Sequence, residues 1–430
     1  MTTHSPAARP GPRHLLVIGG IGLGDPGRCL LRSFLTQAEQ RDCRIHMTDQ
    51  KMFVDLAPDD VTRRFASLHV LDFTDTAHCV EWAVQQHRTG LGFDMVVTAR
   101  DDAQRTTAAI AQALGLPYNS LAAIETTQNK DRCRAVLAEA GLRQPAWRLC
   151  RDLDEALAFA AEAAGPWVVK PRDGTGSRAV RRVDDPAELA DAVRLLDPGD
   201  RPFLIEELVH GPEYSAEGLF LHGQPVVVAL TAKTTTEPPL FVEVGHVMPA
   251  PLPEDVTARA KAAVEQAVRA VGLSFGLFHA EFWLTEKGPV LGELHCRPGG
   301  DYISMLLEAT HPRFRYFGAL FDAFGDPAFV PDLTADGGAA VAFLTAPAGT
   351  VTELTGWEQA HVGEGLLHAH LAPSPGDRVS QLRSSMDRCG AIVVRAATPD
   401  QARADAAARA RLVRITTTAE APADAPVPVR

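Results

Sequence analysis

Apolar strand-like runs alternate with helical segments along the first 130 residues of the chain. The runs at 14–20 and 43–49 flank a segment of helical character at 28–41, and further strand-like runs at 67–73 and 93–99 continue the alternation. Strands that alternate with helices predict a parallel sheet that the helices cover. We therefore expect an N-terminal α/β domain built on a parallel sheet.

A different pattern, apolar and polar residues in alternation, spans residues 278–295 and predicts a β-hairpin. A three-residue loop that ends at Gly288 would place Glu281 directly opposite Glu293. The alternation then defines two faces of the hairpin. The polar face carries His279, Glu281, Trp283, Leu291, Glu293 and His295, and the core face carries Phe278, Ala280, Phe282, Leu284, Val290 and Leu294.

The two paired glutamates need a partner, because like charges directly opposite each other destabilise a sheet. A magnesium ion fits, since it takes oxygen ligands and is commonly held by one or two carboxylates together with substrate phosphates. Arg297 follows in a Pro-Gly-Gly turn, where its planar side chain suits a phosphoryl or carboxylate group. The alternative is a solvent-facing hairpin with scattered charges.

Three other segments carry candidate nucleotide-binding groups. Lys170 ends an apolar strand and precedes a Gly/Ser/Thr loop whose backbone N–H groups could fold over phosphates, although an ordinary hairpin turn explains the same residues. Lys130 begins a short helix and could equally be a solvated lysine. The strand that ends at 206–209 could offer backbone groups to adenine, with Glu213 near ribose hydroxyls, or could be an acidic strand edge.

The loop after the first strand supports a competing function. Gly22, Gly24 and Gly27 satisfy the GxGxxG pattern, and Asp49 lies near the position of a ribose-binding acid. This combination suggests a nicotinamide-dependent oxidoreductase. The alternative is that the glycines only permit a tight turn between strand and helix.

The C-terminal part, residues 338–415, reads as a strand-rich unit closed by a helix at 399–412. Its three histidines, His361, His368 and His370, could bind a metal ion. Because the local sequence offers them no carboxylate or cysteine partner, a solvated loop is the favoured interpretation. Residues 1–13 and 416–430 are expected to be disordered.

Composition narrows the class of protein. A chain of 430 residues is long enough for several domains, and a net charge of −12 argues against a nucleic-acid partner. No apolar run approaches the roughly 18 residues of a membrane-spanning helix. Seven cysteines without a CxxC pair favour a reducing cytoplasm and no structural zinc. We expect small-molecule partners, and assembly as a homodimer is left open.

Six segments in order resemble the ATP-grasp carboxylate–amine ligases, most of all the L-amino-acid ligase (dipeptide synthetase) branch. They are LGLP, NKDRCRAVLAEAGL, VVKPRDGTGSRAV, IEELVHGPEYSAEG, FVEVGHVMPAPLP and AEFWL…LGELHCRPGGD. The resemblance implies an α/β ATP-grasp fold with four domains. These are a Rossmann-like parallel-sheet domain at 14–128, a small α/β lid at 129–205, a catalytic antiparallel sheet at 206–330 and a C-terminal α+β subdomain at 331–415.

The resemblance also implies roles for individual residues. ATP would be bound by Lys130, Lys170, Gly174, Thr175, Gly176, Ser177, Glu206, Glu207, Leu208, Val209, Glu213 and Lys233. The substrate side would consist of Glu243, His246, Arg297, Gly299, Gly300 and Asp301, and catalysis would rest on Arg297, Glu293 and Lys170. Glu281 and Glu293 would bind Mg²⁺. His295 replaces the asparagine usual in the family, so it either supports a metal ligand or favours Mn²⁺.

The implied reaction starts with attack of a carboxylate on the γ-phosphate of ATP, which gives an acyl phosphate and ADP. An amine then displaces phosphate and leaves an amide. A carrier-protein acceptor and a non-catalytic nucleotide-binding protein are the open alternatives. Asp301 is expected either to select the substrate, as a buried carboxylate in need of a cationic partner, or to cap the helix that begins at Tyr302.

Overall fold

The N-terminal unit contains a parallel sheet, as the alternating pattern predicts. The computed structural model describes residues 11–22, 24–173, 179–197, 199, 201–237 and 240–418. The sheet order is β3-β2-β1-β4, with β1 Arg13–Ile18, β2 Cys43–Asp49, β3 Ser67–Val70 and β4 Met95–Val97. The helices are α1 Asp25–Glu39, α2 Lys51–Asp55, α3 Asp59–Thr62, α4 Thr76–Gln86 and α5 Gln104–Leu114. Of the disordered tails predicted at 1–13 and 416–430, residues 1–10 and 419–430 lie outside the described residues. The prediction was wrong for Arg13, which begins β1, and for Thr416 and Thr417, which end the last strand.

A second, smaller unit holds an antiparallel sheet. Two helices lead into it, α6 Leu121–Gln128 and α7 Lys130–Glu139. Its strands are β5 Trp147–Cys150, β6 Trp167–Pro171, β7 Arg181–Val183 and β8 Phe203–Glu207, in the order β5-β8-β6-β7. Helices α8 Leu153–Glu162 and α9 Leu189–Leu196 pack on this sheet, whose core is formed by apolar residues such as Phe159, Trp167 and Phe203.

The central unit is an antiparallel sheet that extends into the C-terminal part of the chain. Among the described residues its strand order is β13-β12-β9-β10-β11-β14-β18-β16. The strands are β9 Glu213–Leu221, β10 Gln224–Thr235, β11 Glu243–Met248, β12 Leu277–Thr285, β13 Gly288–His295, β14 Gly338–Leu344, β16 Leu366–Leu371 and β18 Gly390–Ala396. Helices α10 Glu254–Ala270, α11 Ile303–Thr310 and α12 Tyr316–Gly325 accompany it.

A small sheet of the order β17-β15-β19 completes the C-terminal part. Its strands are β15 Gly349–Thr355, β17 Arg378–Val379 and β19 Arg414–Thr417, and its helices are α13 Trp357–Ala360 and α14 Pro399–Leu412. No helix in the described ranges combines the length and the apolar character required to cross a bilayer.

Helix α1 attaches the parallel sheet to the central unit. Its apolar residues Leu31, Phe34, Leu35 and Ala38 recur at helical spacing and are buried. The Phe34 ring meets the ring of Phe317 on α12 edge-on, at 5.2 Å between centroids. A bidentate pair between Arg41 and Asp322 closes the same contact, with distances of 2.7 and 2.6 Å. One apolar core therefore runs through both units.

The predicted hairpin forms, but its loop is shorter than expected. Thr285 pairs with Gly288, which leaves a two-residue loop instead of the predicted three. A bulge then restores the predicted register, since Gly292 and Glu293 together face Glu281 and His279 still pairs with His295. Between the bulge and the loop, the faces of the hairpin therefore differ from the predicted ones. Leu291 pairs with Phe282 in the core, whereas Val290 pairs with Trp283.

We predict that Gly292→Ala destabilises the protein and disturbs the hairpin carboxylates. A Cβ atom at Gly292 would lie 2.9 Å from the Trp283 ring and 3.1 Å from the Glu281 carbonyl oxygen, so one of them must move. Such overpacking commonly costs about 1–3 kcal/mol. Urea unfolding measures the change. Gly24→Ala is the matched control, because its Cβ would meet its nearest neighbour, Pro26, at 3.8 Å. Equal stability of the two variants would contradict a sterically required glycine.

Candidate active site

A cavity of about 950 Å³ lies between the N-terminal unit, the small antiparallel unit and the central sheet, since residues of all three line it. One face of the central sheet forms its floor, because the strand register aligns the polar residues there: Glu213 faces Trp283, Glu217 faces His279, and Lys233 faces His246. Most predicted site residues line this cavity. They are Lys130, Lys170, Glu206, Leu208, Val209, Glu213, Lys233, Glu243, His246, Glu281, Glu293, His295, Arg297, Gly300 and Asp301.

The other predicted residues lie elsewhere. Glu207 is exposed, and its carboxylate accepts a hydrogen bond from the Ala146 N–H at 3.4 Å. Gly299 packs against the floor, where an added Cβ would lie 2.9 Å from Glu217 Oε2. The predicted phosphate loop, Gly174, Thr175, Gly176 and Ser177, lies outside the described residues.

The hairpin carboxylates are each paired with a lysine. Glu281 Oε1 lies 2.9 Å from Lys233 Nζ, and Glu293 Oε1 lies 3.3 Å from Lys130 Nζ. Burial alone would raise the pKa of Glu293, but Lys130 and His295 outweigh it and lower the pKa to about 2. Burial also opposes ionisation of Glu281, yet Lys233 and His279 hold its pKa well below the ordinary value. Both groups are therefore carboxylates at neutral pH.

This donor set fits a hard divalent cation. Two ionised carboxylates project from one hairpin face into a cavity, and Mg²⁺ takes oxygen ligands of this kind. His295 is engaged on both ring nitrogens: Nδ1 lies 3.1 Å from Asp101 Oδ1 and Nε2 lies 3.5 Å from Glu293 Oε2. Burial would lower the pKa of His295, but Asp101 raises it. His295 thus contacts a carboxylate of the candidate metal site while Asp101 orients its ring.

Asp101 was not predicted from the sequence. It follows β4 and binds Arg297 as well as His295, with 2.7 Å between Arg297 Nε and Asp101 Oδ2. Burial opposes its ionisation, but Arg297 and His295 hold the pKa of Asp101 below its usual range. Its place beyond the carboxyl end of a parallel strand, where α/β sheets bind ligands, is the signal that could have identified it.

Lys233 connects three predicted site groups. Its Nζ atom lies 2.6 Å from Glu213, 2.9 Å from Glu281 and 3.3 Å from Glu243, and only 2% of the side chain is exposed. Burial would lower the pKa of Lys233, but the three carboxylates raise it well above its ordinary value. A permanent positive charge therefore stands among the acidic groups of the cavity floor.

Lys170 lies against Glu206, at 2.5 Å, beside a second cation that the sequence did not reveal. Arg134 of α7 binds the same carboxylate, with Nε 3.0 Å from Glu206 Oε2, and also donates to the Leu291 carbonyl. Two cations hold Glu206 ionised although it is buried. The Glu207 and Leu208 N–H groups bond to the Ala146 and Pro166 carbonyls, so a backbone N–H for adenine would have to come from Val209 or beyond.

His279 lies beneath the hairpin carboxylates and is bonded to Glu217, another residue that the sequence did not reveal. His279 Nδ1 lies 2.7 Å from Glu217 Oε1, and Nε2 lies 3.3 Å from Glu281 Oε1. The other oxygen, Glu217 Oε2, is buried and has no hydrogen-bond partner among the described residues. Burial would lower the pKa of His279, but Glu217 and Glu281 raise it to about 9.

Asp301 is neither a helix cap nor an unpaired charge. Helix α11 has Tyr302 as its N-cap, which rules out the predicted capping role of Asp301. The Asp301 carboxylate instead binds Arg388 through two contacts of 2.6 and 2.8 Å. The sequence-based expectation assumed that Asp301 has no partner within the protein and so needs a cationic substrate. That assumption was wrong, because Arg388 from the C-terminal part supplies the positive charge. Asp301 still lines the cavity.

Gly22 and Gly27 of the GxGxxG pattern lie close together. An added Cβ at Gly22 would lie 2.7 Å from the Cα of Gly27, so the two glycines allow the chain to pass close to itself. Asp49 is fully buried, and its Oδ2 accepts the Ile21 N–H at 2.8 Å. Because this carboxylate is bound to the Ile21 backbone, the geometry favours the structural interpretation of the glycines over dinucleotide binding.

Two family descriptions match parts of the chain. Residues 163–305 match the ATP-grasp domain, and residues 342–418 match the L-amino acid ligase C-terminal domain 2. The second match covers strands that continue the central sheet.

Two relatives and one solved structure extend these matches. The uncharacterized protein y4rH of Sinorhizobium fredii is 30% identical over 77% of this chain and 70% of its own length. A D-alanine–D-alanine ligase of Gloeobacter violaceus is 30% identical over 46% of this chain and 68% of its own length. For other curated relatives the chain spans between 28% and 61% of their length. The crystal structure of an L-amino acid ligase from Bacillus licheniformis shares the fold, with a TM-score of 0.81, 21% identity and coverage of 96% of this chain and 100% of that one.

We predict that His279→Gln removes a pH-dependent part of the stability of the metal-free protein. The pKa of about 9 in the folded state exceeds the unfolded value of roughly 6.5, which corresponds to up to about 3 kcal/mol. This contribution is complete below the unfolded pKa and is lost as the pH rises through about 9. Urea unfolding between these limits should show a stability loss in wild type that the variant lacks. His361→Gln, outside the cavity, is the control. A variant with the wild-type pH profile would contradict a charged His279.

Proposed function

Because the chain belongs to the ATP-grasp family of carboxylate–amine ligases, we propose that it joins an amino acid or a related acid to an amine through an acyl phosphate. Members of this family use ATP and form C–N bonds. The observation that carries the proposal is the convergence on one cavity of two hairpin carboxylates, two lysines and an arginine: Glu281, Glu293, Lys130, Lys170 and Arg297.

Nucleotide binding would use one end of the cavity. Lys130 and Lys170 come from different elements, α7 and β6, and both reach its wall, where two positive charges can bind the phosphates of ATP. Glu206 keeps Lys170 in place from behind. Leu208 and Val209 would offer an apolar wall and backbone groups to adenine. Glu213, which Lys233 holds in place, would accept hydrogen bonds from the ribose hydroxyls.

Glu281 and Glu293 would hold Mg²⁺, or Mn²⁺, beside those phosphates. When bound, the ion would neutralise charge on the phosphates during phosphoryl transfer. Lys130, which now pairs with Glu293 and lines the same cavity, would turn toward a phosphate oxygen once the ion is bound. His279 and His295 hold the carboxylates in position from the floor and from the side.

Arg297 is suited to the acyl phosphate. Its Nε is bound by Asp101, and its Nη1 donates to the Pro298 carbonyl at 3.0 Å, so the plane of the side chain is fixed before any substrate arrives. A preoriented cation of this kind stabilises the charge that develops when the carboxylate attacks the γ-phosphate. We assign the same cation to holding the acyl phosphate while the amine attacks it.

The amino-acid pocket would adjoin the nucleotide site, because Lys233 contacts both Glu213 and Glu243. Glu243 and His246 line it, and Glu243 is held by Lys233 at 3.3 Å and by the Ser385 hydroxyl at 2.7 Å. Asp301, with Gly300 beside it, contributes a wall whose charge is balanced by Arg388.

The seven cysteines are all free, which fits a cytoplasmic location. Assembly as a homodimer stays a prediction.

The function is tested with purified protein, ATP, Mg²⁺ and pairs of amino acids. We expect formation of ADP and orthophosphate in step with a new amide that is identified by mass spectrometry. Omission of either amino acid should stop amide formation. Release of ADP and orthophosphate without an amine would indicate that water hydrolyses the acyl phosphate. Stoichiometric AMP and pyrophosphate would refute the acyl-phosphate route, because they require attack on the α-phosphate instead.

We predict that Glu293→Gln lowers kcat by about 10²–10³ while the protein remains folded, because it removes a preorganised charge from the proposed metal site. Glu286→Gln is the matched control, since Glu286 lies exposed in the loop of the same hairpin. Steady-state kinetics at saturating Mg²⁺, together with thermal unfolding, measures both variants. Wild-type turnover in Glu293→Gln would assign the hairpin carboxylates a structural role.

A further inference from the structure

The start of α1 and the edge strand β16 bring together a cluster at the wall of the same cavity, lined there by Asp25 and His370, to which the proposed ligase reaction assigns no role. Asp25 and Cys29 are four residues apart, so they lie on the same side of α1, and His368 and His370 are two apart on β16. His368 Nε2 lies 2.6 Å from Asp25 Oδ2 and 3.7 Å from Cys29 Sγ. The solvated loop expected for these histidines was therefore wrong, since β16 is a strand and its partners come from the other end of the chain.

We propose that Asp25, Cys29 and His368 form a binding site for a zinc-class transition-metal ion, separate from the hairpin carboxylates. One ligand atom from each residue lies within 4.8 Å of the other two. A thiolate, an imidazole and a carboxylate are the donors that zinc takes, whereas magnesium takes oxygen ligands. The donor types therefore favour a zinc-class ion at Asp25, Cys29 and His368 and magnesium at the hairpin carboxylates.

The distances suit a tetrahedral ion. With metal–ligand bonds of about 2.0–2.3 Å, neighbouring ligand atoms stand roughly 3.3–3.8 Å apart. Cys29 Sγ meets this condition, at 3.8 Å from Asp25 and 3.7 Å from His368. The 2.6 Å contact between Asp25 and His368 is a hydrogen bond, and a shift of the imidazole by less than about 1 Å would open it to a metal-bridged distance.

The surroundings support a metal ion as well. The Tyr302 hydroxyl donates to Asp25 at 2.7 Å and so orients the carboxylate, as groups that contact metal ligands commonly do. His370 Nδ1 lies 3.8 Å from Asp25 Oδ1 and, with water, is a candidate for the fourth position. Cys29 is the one cysteine of the seven, all in the described ranges, that is not fully buried. An ion can therefore reach its thiol, whose proton would pass to solvent on binding.

Cobalt(II) is the probe that tests the site, because a cobalt–thiolate bond absorbs in the near ultraviolet and oxygen ligands do not. Untagged, chelator-treated protein is titrated with Co²⁺ in the presence of millimolar Mg²⁺. We expect a thiolate charge-transfer band and tetrahedral visible bands that saturate at one equivalent and disappear when Zn²⁺ is added. Absence of the charge-transfer band in wild-type protein would overturn the proposal without any variant.

Variants then identify the ligands. Cys29→Ser should abolish the charge-transfer band, and His368→Ala should weaken cobalt binding by more than about tenfold. His361→Ala is the matched control, since it belongs to the same predicted histidine group but bonds to Trp357 instead. Glu293→Gln should keep the band, which separates this site from the proposed catalytic metal. Thermal unfolding verifies that each variant is folded. A band that survives Cys29→Ser would refute the assignment.

Discussion

A single buried ammonium group, that of Lys233, makes the cavity floor possible. Neighbouring strands β9, β11 and β12 each bring a carboxylate to the same face, and without a cation between them the three charges would repel one another in a medium that screens poorly. Lys233 on β10 stands at the point from which all three can be reached. The acidic groups assigned to ribose, metal and amino acid are therefore electrostatically coupled, so that a ligand bound by one of them changes the field at the others.

The same rule, that a buried charge needs a partner, explains the residues at the edges of the cavity. Arg297 is balanced by Asp101 from the N-terminal unit, and Asp301 by Arg388 from the C-terminal part. Glu206 of the small unit is balanced by Arg134 and Lys170. The N-terminal unit, the small unit, the central sheet and the C-terminal part thus each supply a charged residue to the site. The site is complete only when these units pack together.

What the sequence could predict follows from the range of the interactions involved. Alternation along one strand identifies a polar face, so Glu281, Glu293 and His295 could be grouped from the hairpin alone. The bulge at Gly292 was not predicted, because a glycine within a strand does not reveal which strand of the hairpin carries the extra residue. Asp101, Glu217 and Arg388 escaped for a different reason: their partners are distant in sequence, and only the packing of whole units decides which charges meet. Asp25 and His368 are separated by 343 positions, which no local pattern can bridge.

The ladder between β11 and β14 ties the C-terminal strands to the catalytic sheet, and this sets a rule for recombining such proteins. Gly245 pairs with Ala342, and His246 with Val341, so the cavity floor and the strands beyond it share one register. A chimera that joined the C-terminal part of a homologue with a one-residue slip would turn every following side chain to the opposite face. Leaving that part out would expose β11 as an unprotected edge, open to pairing with other chains. Crossover points for domain exchange therefore belong in the segment between α12 and β14, with the strand pairing preserved beyond it.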